Sequence, residues 1–287
     1  MSEQIPQIRA SSMPTFADCA RRAAFRQFAP IIAEVSTKFG DPIGPPKRTF
    51  SRAARLGHAV HKRLELMYAG KADPDFADEG LLDLATRQVL VAGPDKRNEL
   101  EEDEPAWDDL PENEEIDSLE TAEKMIDNMV PAMQELVSKK TPLVMEKSIS
   151  TQMYGLLVTG HPDQINDDGS IGDSKSHGTT LTKNYIAQLG TYGAIVEDLG
   201  EKVTGLEQYN FQRLKTKPSP LRIERYLVTP AIEYAQTIIQ RTANNLENYI
   251  DTGDPNSFNA NPQSPMCSAK WCDAWGTNWC KLHKGAK

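Results

Sequence analysis

The stretch GHPDQINDDGSIGDSKSHG, residues 160–178, sets Asp163 and Asp173 ten residues apart across the turn-forming DDGS, with Lys175 two residues beyond the second acid. Side chains two apart on a strand share a face, so Asp173 and Lys175 point the same way and Ser174 the other. If Asp163 ends the adjoining strand, the turn returns the chain beside it, and two carboxylates and an ammonium converge. Hard divalent cations prefer oxygen ligands, so Mg²⁺ or Mn²⁺ suits such a site. An ion there would polarise a phosphodiester and activate a water, while Lys175 orients that water or stabilises charge developing on phosphate oxygens. The same D-x9-D-x-K pattern also fits a hairpin whose polar residues merely face solvent. It is not an EF-hand loop: with Gly169 as the obligate glycine, Gln164 takes the first ligand position and Lys175 the last.

Other residues fit the same chemistry. GHAVH, residues 57–61, puts His61 on an expected helix, where imidazole adds a nitrogen ligand, and His58 three residues earlier can share its face. Gln188 and Tyr192 lie four apart on a later expected helix and also share a face, from which they can reach a nucleic acid or a metal-held water. Glu146, just before the strands, is a candidate accessory acid. Taken singly, each of these also fits ordinary packing or a solvated surface.

The elements that must position these residues follow from periodicity. Helices are expected over 12–29, 51–69, 78–92 and 118–139, the second starting at Ser51 with Leu56, Val60, Leu64 and Met67 at helical spacing. LVMEKSIS, YGLLVTGHPDQI and GSIGDSKSHG read as three successive strands, the last two joined by DDGS. A helix over 181–199, strands within 203–216 and 222–229, and a closing helix over 230–250 complete the pattern. Helices followed by a mixed sheet with helices packed on it define an α/β (α+β) class. The expected organisation is one integrated domain: a helical part at 1–94 holding Cys19 and His61, an acidic loop or insertion at 95–120, a core at 121–254 and a Cys-rich tail at 255–287.

The net charge of -9 is unevenly placed. Residues 95–120 hold 13 acidic and 2 basic side chains, whereas residues 21–63 hold ten Lys and Arg against Glu34 and Asp41. A basic N-terminal region, with Arg21, Arg22, Arg26, Arg52 and Arg55, is therefore expected to contact phosphates. No apolar run approaches the roughly 18 residues of a membrane helix, and MSEQIPQIRASSMP lacks the apolar centre of a secretory signal, so a cytoplasmic protein without a membrane partner is expected. In that compartment disulfides are disfavoured. Cys267, Cys272 and Cys280, within 14 residues, then suggest a metal or cluster site, and four thiolates suit a [4Fe–4S] cluster or tetrahedral Zn²⁺.

In chain order, G-x-x-x-H at 57–61, a G-x-x-D strand end at 160–163, D-x-K at 173–175 and Q-x-x-x-Y at 188–192 resemble the motif set of the PD-(D/E)xK nuclease superfamily. The nearest likeness is its RecB-like branch, which includes AddB-type and CRISPR-associated exonucleases, and it spans about 11–283 outside the acidic segment. The resemblance implies a restriction-endonuclease-like core with a central mixed sheet. It makes His61, Asp163, Asp173 and the Ser174 backbone carbonyl ligands of Mg²⁺ or Mn²⁺, Lys175 the catalytic lysine, and Gln188 and Tyr192 the helix motif beside them. Asp173 stands where glutamate is often found; both are carboxylates. Several RecB-like nucleases carry one cysteine before the core and three after it, so Cys19 with Cys267, Cys272 and Cys280 is expected to bind [4Fe–4S], with Zn²⁺ as the alternative. Here C-x4-C-x7-C is looser than the commoner C-x2-C-x5-C. The function expected is a metal-dependent DNA exonuclease of DNA repair, recombination or phage and defence DNA processing. An inactive DNA-binding scaffold of the same fold and an RNA-directed nuclease are the alternatives. Expected partners are DNA, as single strands or duplex ends, and a helicase or recombination protein that the sequence does not specify.

Overall fold

The computed structural model describes residues 5–47, 51–70, 107–111, 115–178 and 185–281. Among these the chain runs β1 (Gln7–Arg9), α1 (Met13–Asp18), α2 (Ala20–Gln27), α3 (Ala29–Lys38), α4 (Arg52–Tyr68) and α5 (Leu119–Lys139). Strands β2 (Pro142–Met145), β3 (Ile149–Met153), β4 (Leu156–Gly160), β5 (Gln164–Asn166) and β6 (Ser170–His177) follow. Then come α6 (Ile186–Asp198), β7 (Gly205–Gln212), β8 (Leu221–Tyr226) and α7 (Val228–Thr252). The expected helix at 78–92 and the first residues of the acidic segment lie outside the described residues. Among the described residues no helix is long and apolar enough to cross a membrane.

The α/β class is as expected, but the strands form two mixed sheets rather than one. A three-stranded sheet has the order β1-β4-β3, and a five-stranded sheet the order β2-β5-β6-β7-β8. LVMEKSIS is not one strand, because Glu146 turns into the left-handed region at φ 49 and sends β2 and β3 to different sheets. YGLLVTGHPDQI likewise breaks between Gly160 and Gln164 into β4 and β5. The DDGS turn does close an antiparallel hairpin: Gln164 pairs with Gly172 and Ile165 with Ile171, with Gly169 at φ 79 in the turn. β6 then runs parallel to β7 over its whole length, Asp173 opposite Gln208 and Lys175 opposite Asn210.

Local chemistry starts and stops the helices. Ser51 and Ser118 cap α4 and α5 by accepting from Ala54 N and Thr121 N, and Gly253, left-handed, ends α7. The expected 12–29 helix is broken at Cys19, whose extended backbone (φ -145, ψ 97) separates α1 from α2 and turns the thiol toward the tail.

Two cores hold the sheets. Leu56, Val60 and Leu64 of α4 and Met125, Met129 and Met133 of α5 bury Tyr209 and Phe211 on one face of the five-stranded sheet. On the other side, α6 contacts β3, β4, β6 and β7 and packs along α7, so a single helix bridges both sheets. That close approach requires Gly190: a methyl group there would stand 2.0 Å from the Ala231 carbonyl oxygen. Backbone cannot swing aside as a side chain can. Gly190→Ala is therefore expected to destabilise the fold by about 1–3 kcal/mol, despite the better helix propensity of alanine, as read by urea unfolding.

Candidate metal centre

The β5–β6 hairpin, α4 and the β2–β3 corner meet at one point. Asp163, immediately before β5, accepts a hydrogen bond from the Ser174 backbone amide through Oδ2. His61, from α4, places Nδ1 3.4 Å from Asp163 Oδ1, while its Nε2–H donates to the Ser174 carbonyl at 2.9 Å. Glu146 completes the cluster, its Oε1 3.9 Å from His61 Nδ1. Among the described residues, His61, Glu146 and Asp163 form the one set of three acidic, cysteine or histidine groups whose ligand atoms all lie within 4.8 Å of one another. The left-handed backbone of Glu146 is costly for a non-glycine residue, and its N–H donates to the Asp163 carbonyl at 3.0 Å. Strain is thus held where two acids face one imidazole.

Asp173 lies one strand residue away and is almost wholly buried. Lys175, on the same face, sets Nζ 2.5 Å from Asp173 Oδ2 and lies over the Tyr185 ring at 5.0 Å. Gln188 Nε2 donates to Asp173 Oδ1 at 2.9 Å and to Tyr192 Oη at 2.8 Å, and Tyr192 donates onward to the His161 carbonyl. Gln188 and Tyr192 therefore do share a face of α6, and that face meets Asp173.

The electrostatics follow from packing. Burial pushes the Asp173 carboxyl up to about 6, with Asp163 adding to the rise and Lys175 opposing it. Burial works the same way on Asp163, but His61, Lys175 and the Ser174 amide outweigh it and hold this carboxyl below its ordinary value. Burial disfavours a charged Lys175, yet Asp173 and Asp163 overcome it and the ammonium is held more firmly than usual. His61 is raised to about 9: burial opposes its charge, and Asp163 and Glu146 more than restore it.

Two neighbours lie outside the motif set read from the sequence. His161 Nδ1 sits 2.8 Å from Glu146 Oε2, and Tyr185 faces Lys175. The HPD run contained the first signal; nothing local marked the second. His58 is exposed on α4.

The arginines correct an expectation. Arg21, Arg22, Arg52 and Arg55 are each less than a tenth exposed, so they do not form a solvent-facing stripe for a nucleic-acid backbone. Arg21 donates to the Phe258 carbonyl and Asn256 Oδ1, and Arg22 pairs with Asp18 at 2.9 Å. Arg52 donates to the Ile116 and Asp117 carbonyls. Arg26, about half exposed, pairs with Asp273 of the tail at 2.6 Å. Guanidinium groups here tie together segments far apart in the chain.

Cys19, Cys267, Cys272 and Cys280 line one recess with Arg21, Arg22, Ser264 and Met266. Burial raises the Cys267 thiol, with Cys19 and Cys280 adding to the shift, so these sulfurs are electrostatic neighbours. Trp279 of the tail stacks on Phe25 and meets Tyr249 edge-on, and Phe258 packs at a tilt against Phe28 and Trp279.

A mixed α/β fold carrying two acids, a lysine and a histidine at the end of a bent hairpin has the arrangement of a phosphodiester-cleaving site. The sequence profile of the PD-(D/E)XK nuclease superfamily matches residues 8–280, and the chain belongs to that superfamily. No curated protein matches the chain. Among solved structures, a proposed exonuclease from Eubacterium rectale aligns with a TM-score of 0.49 and 12% identity, covering 92% of this chain and 87% of its own. LHK-Exo in complex with dAMP aligns with a TM-score of 0.33 and 14% identity, covering 69% of this chain and 92% of its own. These overlaps are too loose to transfer residues.

One consequence is titratable. In metal-free protein the His61 imidazole should titrate near 9 by NMR, so its favourable contribution to stability is full below its ordinary 6.5 and lost as pH rises through about 9. Asp163→Asn removes the main opposing charge and should drop the His61 value by more than one unit; an unmoved titration would break the assigned pairing.

Proposed function

We propose that the chain is a divalent-metal-dependent DNA nuclease of the RecB-like branch, acting as an exonuclease on single strands or duplex ends. The observation that carries this reading is the gathering of His61, Glu146 and Asp163 next to the Asp173–Lys175 pair, where α4, the β2–β3 corner and the β5–β6 hairpin meet. His61, Asp163, Asp173 and the Ser174 carbonyl would hold Mg²⁺ or Mn²⁺, with Glu146 as a further acid. Such an ion supplies Lewis-acid polarisation of the phosphodiester and lowers the pKa of a nucleophilic water.

The remaining work belongs to side chains. Lys175, kept charged by Asp173 and Asp163, stabilises negative charge developing on the phosphate oxygens and orients the attacking water. Gln188 fixes the Asp173 carboxylate through Oδ1 and leaves Oδ2 to the lysine side. Burial and the nearby acids keep the Tyr192 phenol protonated, so it acts as a donor that pins the His161 carbonyl rather than as a base. His61 must shed its proton to ligate a cation. Lys175→Ala is expected to slow Mn²⁺-supported cleavage of end-labelled DNA at least about 10²-fold, while DNA binding and melting temperature hold. Retained turnover would remove the lysine from the mechanism, and no cleavage by the unaltered protein would favour a non-catalytic DNA clamp.

The four cysteines fit a [4Fe–4S] cluster of structural role. All four line one recess, and the buried Arg22, whose Nη1 has no hydrogen-bond partner among the described residues, offers a compensating positive charge to an anionic group there. Such a cluster would join Cys19 to the tail without touching the metal centre. Cys272→Ala should lose the brown colour and most of the iron of anaerobically purified protein; unchanged iron would end the assignment, and a colourless protein with stoichiometric zinc would replace it.

A further inference from the structure

We propose that the basic turn joining β7 to β8, with Arg213, Lys215, Lys217 and the adjoining Arg222, is the surface that grips the nucleic-acid backbone beside the metal centre, and that Glu115 and Asp117 occupy it as competing anions. The proposal rests on the nuclease reading above and adds where the polyanion lies.

Position is the first argument. β6 carries Lys175 opposite Asn210 and His177 opposite Gln212, and the Arg213 N–H donates to the His177 carbonyl at 2.8 Å. The turn therefore begins two to three residues beyond the lysine, about 7–10 Å along the strand. That is two or three nucleotide steps at about 3.4 Å of duplex rise. A substrate strand whose scissile phosphate lies at Lys175 would carry its next phosphates past this turn.

Charge is the second. Residues 213–222 hold four cations and no acid. After burial, Arg213 and Arg222 are the groups that most depress the His177 imidazole, so their charges converge at the end of the catalytic strand. Arg213 Nε has no hydrogen-bond partner among the described residues, so the guanidinium is incompletely satisfied even with Glu115 and the Ser176 carbonyl beside it. Of the five N-terminal arginines that the sequence offered for this purpose, four are buried elsewhere and Arg26 pairs with Asp273.

The third argument is what already sits there. Glu115 Oε2 lies 3.1 Å from Arg213 Nη2, and Asp117 Oδ2 lies 3.3 Å from Lys215 Nζ. The Glu115 carboxylate stands directly over Gly178, where a methyl group would come within 2.3 Å of Oε1. Arg52 holds this piece of chain by its backbone and stacks on Trp107 at 5.6 Å. Two carboxylates, two residues apart, thus meet two cations in the way successive phosphates would. Lys215 and Asp117 are both well exposed, and an ion pair of that kind contributes only about 0–1 kcal/mol, so a polyanion displaces Asp117 at small cost.

The test uses full-length protein in EDTA, with a fluorescein-labelled single-stranded DNA oligonucleotide read by anisotropy across a salt series. The Lys215→Ala/Lys217→Ala double variant should bind at least fivefold more weakly, with the slope of log K against log salt reduced by about 1.4. Glu115→Gln/Asp117→Asn should bind at least threefold more tightly at low salt, with the melting temperature nearly unchanged. If the unaltered protein binds and the lysine variant matches it in affinity and slope, the assigned surface is wrong while the nuclease reading stands. Unchanged affinity in the acid variant removes the competing anions. If the unaltered protein neither binds DNA in EDTA nor cuts it with Mn²⁺, both readings fall together.

Discussion

Negative charge buried at the open end of the β5–β6 hairpin constrains everything packed around it. Asp163 and Asp173 flank the Ser174 peptide, both nearly out of water. Two such carboxylates left alone would protonate, because burial and mutual repulsion act in the same direction. The fold resolves this unequally. Asp163 receives the Ser174 amide and His61, and stays ionised; Asp173 receives Lys175 and the Gln188 amide, and its affinity for a proton still rises. To deliver those partners, α4 must cross the sheet end with His61 inward, and α6 must lie close enough for Gln188 to reach β6. The small residues of α6 and the strained Glu146 corner are consequences of that demand.

A second constraint ties the chain ends. Arg21, Arg26 and the Cys19 sulfur meet Phe258, Asn256, Asp273 and Asn261 from more than 230 residues away. Trp279, fully buried, donates from its indole to the Arg21 carbonyl and meets Phe25 and Tyr249. Cys272 and Cys280 of the recess belong to the same buried cluster as these aromatic rings. A cluster bound there would reinforce a contact that side-chain packing already makes, and leave the metal centre to the sheet.

Charge separation along the chain has a spatial counterpart. The acidic segment ends at Glu115 and Asp117 against Arg213 and Lys215, and Arg52 anchors its backbone. The negative charge of Glu115 and Asp117 is therefore set beside the basic turn and the end of β6. In the proposed nuclease this makes nucleic-acid binding an exchange of anions, sensitive to salt.

How much of this was legible depends on range. Backbone stereochemistry alone put Asp173 and Lys175 on one strand face and Gln188 with Tyr192 on one helix face, because periods of two and 3.6 need no partner. It also marked the DDGS turn, the helix start at Ser51, and the α/β class. Tertiary structure decided which of those faces meet: that His61 reaches Asp163, that Glu146 bends the chain and divides the strands between two sheets, and that four N-terminal arginines turn inward. A basic residue reads the same in sequence whether it faces water or a carbonyl contributed 230 residues later. The reason is that burying a charge is decided by the partner that compensates it, and that partner is supplied by the packing of distant segments rather than by neighbours in the chain.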